Sequence, residues 1–99
     1  MGKDEGNAIR EMTANEYKYT LAFEAAALQV LEELPKNIRR QIGHSLDLMQ
    51  RDWTGDIKKL EGCKNEYRLR VGKYRVLFEL IGRQITVYNV GDRKDIYGR

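Results

Sequence analysis

The residues best equipped for chemistry are three arginines in the run Tyr67-Arg68-Leu69-Arg70-Val71-Gly72-Lys73-Tyr74-Arg75-Val76. Alternation of Arg with apolar residues has the period of a half-buried strand. The Gly72-Lys73 pair, with Gly first, favours a tight two-residue hairpin turn. That turn sets Val71 opposite Tyr74, Arg70 opposite Arg75, Leu69 opposite Val76, Arg68 opposite Leu77 and Tyr67 opposite Phe78. Directly opposed residues point to the same side. Tyr67, Leu69, Val76 and Phe78 therefore share one face, and Arg68, Arg70 and Arg75 share the other, with no acid expected among them. Like charges placed opposite each other are destabilising, so an anion is expected to relieve them. Phosphate suits the task, because the planar guanidinium donates two parallel hydrogen bonds while staying charged.

Extending the register through a second two-residue loop, Gly82-Arg83, places Leu77 opposite Tyr88 and Glu79 opposite Thr86 on the arginine side. Tyr88 is then a platform on which a base could stack. Val90 is expected beside Arg75, so the tail Gly91-Asp92-Arg93-Lys94-Asp95-Ile96-Tyr97 begins next to the cluster and brings Arg93 and Tyr97 within reach.

The elements that must hold these groups follow from the hydrophobic pattern. Tyr17, Tyr19, Leu21 and Phe23 alternate, which predicts a first strand. Between Glu24 and Leu34 the period changes, with Ala27, Leu28, Leu31 and Leu34 on one helical face, and Pro35 closes that helix while suiting the first turn of the next. Ile38, Ile42, Leu46, Met49 and Trp53 advance by three or four, a core-facing stripe for a second helix roughly antiparallel to the first. Thr54, Gly55 and Asp56 break it. Strands are expected over Asn65–Val71, Tyr74–Ile81 and Gln84–Val90, giving a βααβββ order: an α+β fold whose antiparallel sheet packs on an N-terminal helical hairpin. Residues 1–16 are polar apart from Ile9 and Met12 and form an arm without an assigned role; 17–99 form the domain.

Charge is divided unevenly along the chain. Residues 1–57 carry 7 Lys/Arg against 10 Asp/Glu, and residues 58–99 carry 11 against 5, so the positive field belongs to the C-terminal half and suits a polyanionic partner. Cys63 is the sole cysteine, which excludes an internal disulfide, and the apolar run of a signal peptide or spanning helix is missing; a cytoplasmic protein without membrane partners is expected. His44 has no evident relation to Cys63, so a thiol nucleophile with its base is not indicated. One His, one Cys and no suitably spaced carboxylates argue against a metal centre, and the glycines form no phosphate-cradling or dinucleotide motif, so no cofactor is expected.

The run from Tyr67 to Val76, preceded by Leu60-Glu61-Gly62 and followed by Val90-Gly91-Asp92-Arg93 and Tyr97, resembles the RelE/ParE superfamily of type II toxins over about Tyr17 to Tyr97. The resemblance implies a microbial toxin neutralised by a cognate antitoxin that, once free, enters the ribosomal A site and cuts translated mRNA. By position it assigns Arg68 and Arg70 to the two basic places of one strand, Arg75 to the phosphate-binding arginine of the next, Arg93 to the basic residue after the last strand, and Tyr97 to the tyrosine near the C-terminus. Lys58, Lys59, Lys73 and Lys94, with Tyr88, are the further residues expected to contact RNA. The implied reaction is attack of the substrate's own 2′-hydroxyl on the adjacent phosphate, without a metal. The family has lysines where Arg68 and Arg70 stand, and arginine is too basic to remove a proton, so the general base is unassigned.

Two other readings compete. A ParE-like toxin would poison DNA gyrase by protein contact, without cutting RNA. An RNA-binding or regulatory domain that has lost catalysis would show salt-sensitive affinity alone. The arginine set with Tyr97 favours the nuclease.

Overall fold

The structure is a computed structural model and describes residues 17–92 and Lys94. The arm expected over residues 1–16, together with Arg93 and Tyr97, lies outside the described residues. The elements run β1 (Thr20–Phe23), α1 (Ala25–Glu33), α2 (Lys36–Asp52), β2 (Asp56–Lys59), β3 (Glu66–Val71), β4 (Tyr74–Ile81) and β5 (Gln84–Asp92).

Pro35 divides the two helices. The residue before a proline is driven out of the helical region, and Leu34 is extended at ψ 155°, its N–H turned back to Leu31 O. α2 then buries Ile42, Leu46 and Met49 along one stripe. It ends at Trp53, which holds a left-handed conformation (φ 66°, ψ 28°) and donates its N–H to Met49 O. A bulky residue in that region costs about 1–3 kcal/mol. Packing offsets the cost: the indole lies 5.2 Å from the Tyr19 ring and meets Tyr67 and Phe78 edge-on at 5.3 and 5.7 Å. Aromatic pairs of this kind contribute about 0.5–1.5 kcal/mol each beyond area burial.

The sheet has five strands in the order β1-β5-β4-β3-β2. It corrects the sequence expectation in two respects. A fourth C-terminal strand, β2, pairs antiparallel with β3, and β1 pairs parallel with β5, so the sheet is mixed rather than wholly antiparallel. Residues 17–19, expected to be strand, are instead clasped by the end of α2. The backbone N–H groups of Lys18 and Tyr19 both donate to Gln50 O, and Gln50 Nε2 donates back to Tyr19 O.

Both helices cover one sheet face. Ala27, Ile42, Leu46 and Met49 pack there on Leu69, Val76, Phe78, Ile85, Val87 and Val90. Gly72 and Gly82 have φ near 60° while their loop partners Lys73 and Arg83 do not have positive φ. Positive φ at the first loop position alone is the mark of a type II′ turn, whose twist matches that of the flanking strands.

Candidate nucleic-acid interface

The β3–β4 register is the expected one. Arg70 stands opposite Arg75, Arg68 opposite Leu77, Leu69 opposite Val76 and Tyr67 opposite Phe78. Leu69, Val76 and Phe78 belong to the core under the helices, so Arg68, Arg70 and Arg75 lie on the face the helices leave open.

The expectation that no acid enters this cluster is corrected. β2 places Asp56 opposite Arg70 and Lys58 opposite Arg68. Arg70 Nε meets Asp56 Oδ2 at 2.6 Å, and Arg68 Nη1 lies 3.6 Å from Asp56 Oδ1. The second separation is an ion pair and too long for a hydrogen bond. Arg68 Nη1 is buried without a hydrogen-bond partner. Asp56 was not singled out from the sequence because Thr54-Gly55-Asp56 reads as a helix break; the alternation of Asp56 and Lys58 around Ile57 was the available signal.

Arg75 differs from its neighbours. It is the buried charged residue of the described chain, at 6% exposure. Its Nη1 donates to the carbonyls of Gly72 and Tyr74 at 3.2 and 3.0 Å, so it braces the hairpin as well as contributing charge.

Two basic clefts flank these groups. One of about 530 Å³ is lined by Arg70, Gly72, Lys73, Arg75, Asp92 and Lys94. The other, about 300 Å³, is lined by Lys58, Lys59, Leu60, Glu61 and Arg68. The expected RNA-contacting lysines are thus divided between them. Lys58 shares the open face with Arg68, whereas Lys59, opposite Tyr67, alternates away from it.

β5 departs from the expected register. A bulge at Leu77/Phe78 sets Leu77 opposite Asn89 instead of Tyr88, and Arg75 opposite Gly91 instead of Val90. The extra residue is Tyr88, and Val90, carried to the helix side, is buried at 3%. Glu79 does face Thr86 as expected. Tyr88 is not an open platform beside the arginines. Its hydroxyl donates to Glu66 Oε1 at 2.6 Å, and it lines an acidic cleft with Glu24, Glu66 and Glu79. The open face is therefore basic at the turn end of the β3–β4 hairpin, with carboxylates at the other.

A two-helix, five-strand α+β domain with guanidinium groups on its uncovered sheet face defines a class, and comparison with known proteins gives the class its name. The family described as ParE toxin of type II toxin-antitoxin system, parDE, matches residues 9–97. Toxin RelE3 of Methanocaldococcus jannaschii is 39% identical over 72 residues, 68% of this chain and 82% of that protein. The RelE–RelB antitoxin-toxin complex of Methanococcus jannaschii aligns with TM-score 0.67 and 34% identity, covering 77% of this chain and 94% of that one. The isolated Escherichia coli RelE toxin aligns with TM-score 0.68 and 25% identity, covering 80% and 90%. The chain belongs to the RelE/ParE toxin superfamily and is a type II toxin of RelE type. Among the described residues, no helix is long and apolar enough to cross a membrane.

Proposed function

We propose that the toxin is a ribosome-dependent endoribonuclease that cleaves translated mRNA, and that a cognate antitoxin restrains it. The observation that carries this reading is the register placing Arg70 directly opposite Arg75, with Arg68 one pair along, on the face without helices. The antitoxin follows from the relatives, several of which are solved as RelB–RelE complexes.

The chemistry uses the substrate's own nucleophile. The 2′-hydroxyl loses its proton and attacks the adjacent phosphorus, the P–O5′ bond breaks, and the leaving oxygen takes up a proton, leaving a 2′,3′-cyclic phosphate and a 5′-hydroxyl. Negative charge grows on the equatorial oxygens between those steps. Arg70 and Arg75 line one cleft and would stabilise that charge, while Lys73 and Lys94 hold the flanking strand. Preorganised donors of this kind are worth about 2.7–4 kcal/mol each in the transition state. Arg93 and Tyr97, in the tail beyond β5, would complete the site by orienting the 2′-hydroxyl or stacking on a base.

The test is induction in growing cells followed by mapping of 5′ ends on a translated message. Cuts inside codons, lost in Arg70→Ala and Arg93→Ala, support the reading. Arrest with intact messages and inhibition of purified gyrase would replace it with the ParE-like mode of action.

A further inference from the structure

We propose that Asp56 stands in for phosphate in the free protein, holding Arg70 and drawing Arg68 until a phosphodiester reaches the same guanidiniums and displaces it. The inference deepens the nuclease reading and rests on it for the identity of the phosphodiester. The anion exchange itself is independent of that identity.

The single carboxylate of Asp56 is divided between two cations. Oδ2 takes Arg70 Nε at 2.6 Å, which leaves Oδ1 3.6 Å from Arg68 Nη1. A flat group with two oxygens on one short side chain lies close to one arginine and farther from the other. The buried Arg68 Nη1 is left without a hydrogen bond, and a buried donor without an acceptor is costly. A phosphodiester is tetrahedral and offers two unesterified oxygens that are not confined to the end of a short side chain. It can approach Arg68 where Asp56, fixed to its own strand, cannot.

The existing pair is built to open. The side chains of Arg70 and Asp56 are 53% and 42% exposed, and ion pairs this wet contribute little to stability. Displacing Asp56 therefore breaks no core contact, while its negative charge opposes every incoming anion. Asp56 sets the threshold at which this face accepts a polyanion and keeps the arginines aligned until then.

The experiment compares the full chain with Asp56→Asn and Asp56→Ser, following arginine Nε–H resonances while titrating inorganic phosphate and, separately, a 2′-O-methylated single-stranded RNA oligonucleotide. Thermal melts establish that each variant is folded. Removing one charge about 4 Å away is expected to tighten phosphate binding roughly fivefold in water. RNA binding is expected to tighten in parallel, with the slope of log affinity against log salt steeper by about 0.7, the value for one further phosphate contact on a single strand. Phosphate affinity unchanged or weakened in both folded variants overturns the proposal. If phosphate binding tightens but the oligonucleotide binds neither wild type nor variant, the exchange stands and the RNA reading falls.

Discussion

Arg70 and Arg75 face each other across β3 and β4, yet their guanidiniums are held by different partners. Arg70 is drawn to Asp56 on the edge strand, and Arg75 turns back onto the carbonyls of Gly72 and Tyr74. The repulsion expected of opposed like charges is thus relieved within the protein by two different acceptors. The two arginines should separate under mutation.

Arg70→Ala should reduce cleavage by about 10²- to 10³-fold, the usual loss for one transition-state donor, with stability changed by no more than about 1 kcal/mol because its ion pair is exposed. Arg75→Ala should lose activity and also destabilise the fold by about 1–3 kcal/mol, since it strips a buried donor from two carbonyls. Urea denaturation beside single-turnover cleavage checks both halves. Equal stability of the two variants would refute the bracing role of Arg75.

Phe78→Ala should cost about 3–5 kcal/mol, the range for a large buried aromatic. Phe78 is fully buried, stacks on Tyr67 at 5.5 Å and receives the edge of Trp53. The midpoint of chemical unfolding should fall without a change in its slope.

Gly55→Ala should destabilise by about 1–3 kcal/mol, because φ 140° is a region almost closed to side chains. An added Cβ would also lie 2.9 Å from Leu69 Cδ1, and Leu69 is 1% exposed and cannot easily yield. Asp56 follows directly in the chain, so the arginine resonances should shift in the same variant, which NMR would detect.

Tyr17, Asp47 and Arg51 form a pH-sensitive cluster beside α2. The Tyr17 hydroxyl donates to Asp47 Oδ1 at 2.5 Å, Arg51 Nε meets Asp47 Oδ2 at 3.0 Å, and the Arg51 guanidinium lies over the Tyr17 ring at 4.8 Å. The Tyr17 hydrogen bond, then Arg51, holds the Asp47 carboxyl below its ordinary value of 3.8. The same hydrogen bond raises Tyr17 above 10.0. A depressed acid stabilises the fold above its unfolded pKa and loses that contribution as pH falls through the folded value. A raised phenol does so below its unfolded pKa and loses it as pH rises through the folded one. Asp47→Asn should return the Tyr17 titration toward 10.0, read by tyrosinate absorbance.

The sequence made the β3–β4 hairpin legible because alternation and a leading glycine in the loop fix register together. That register alone puts Arg68, Arg70 and Arg75 on one face. β2 was not legible: four residues with one apolar side chain, Ile57, carry almost no period. Asp56 vanished with it, since its pairing exists only once that strand is laid beside β3. The bulge was hidden for a different reason. No glycine or proline marks it, and Thr86, Val87, Tyr88 and Asn89 suit an uninterrupted strand equally well. The parallel pairing of β1 depends on a crossover through both helices, which periodicity does not report.

That extra residue in β5 works as a phase correction for the end of the chain. Were Tyr88 paired in a regular ladder instead of bulged, side chains downstream would trade sides, turning Asn89 toward the helices and Val90 out beside Arg75. With the bulge, Gly91 stands opposite the buried Arg75 and places no side chain against it. Substitutions along this stretch alter one position at a time, and deleting Tyr88 would merely close the bulge. A residue inserted into the paired stretch beyond it would invert everything that follows, so that stretch should tolerate changes of letter far better than added length.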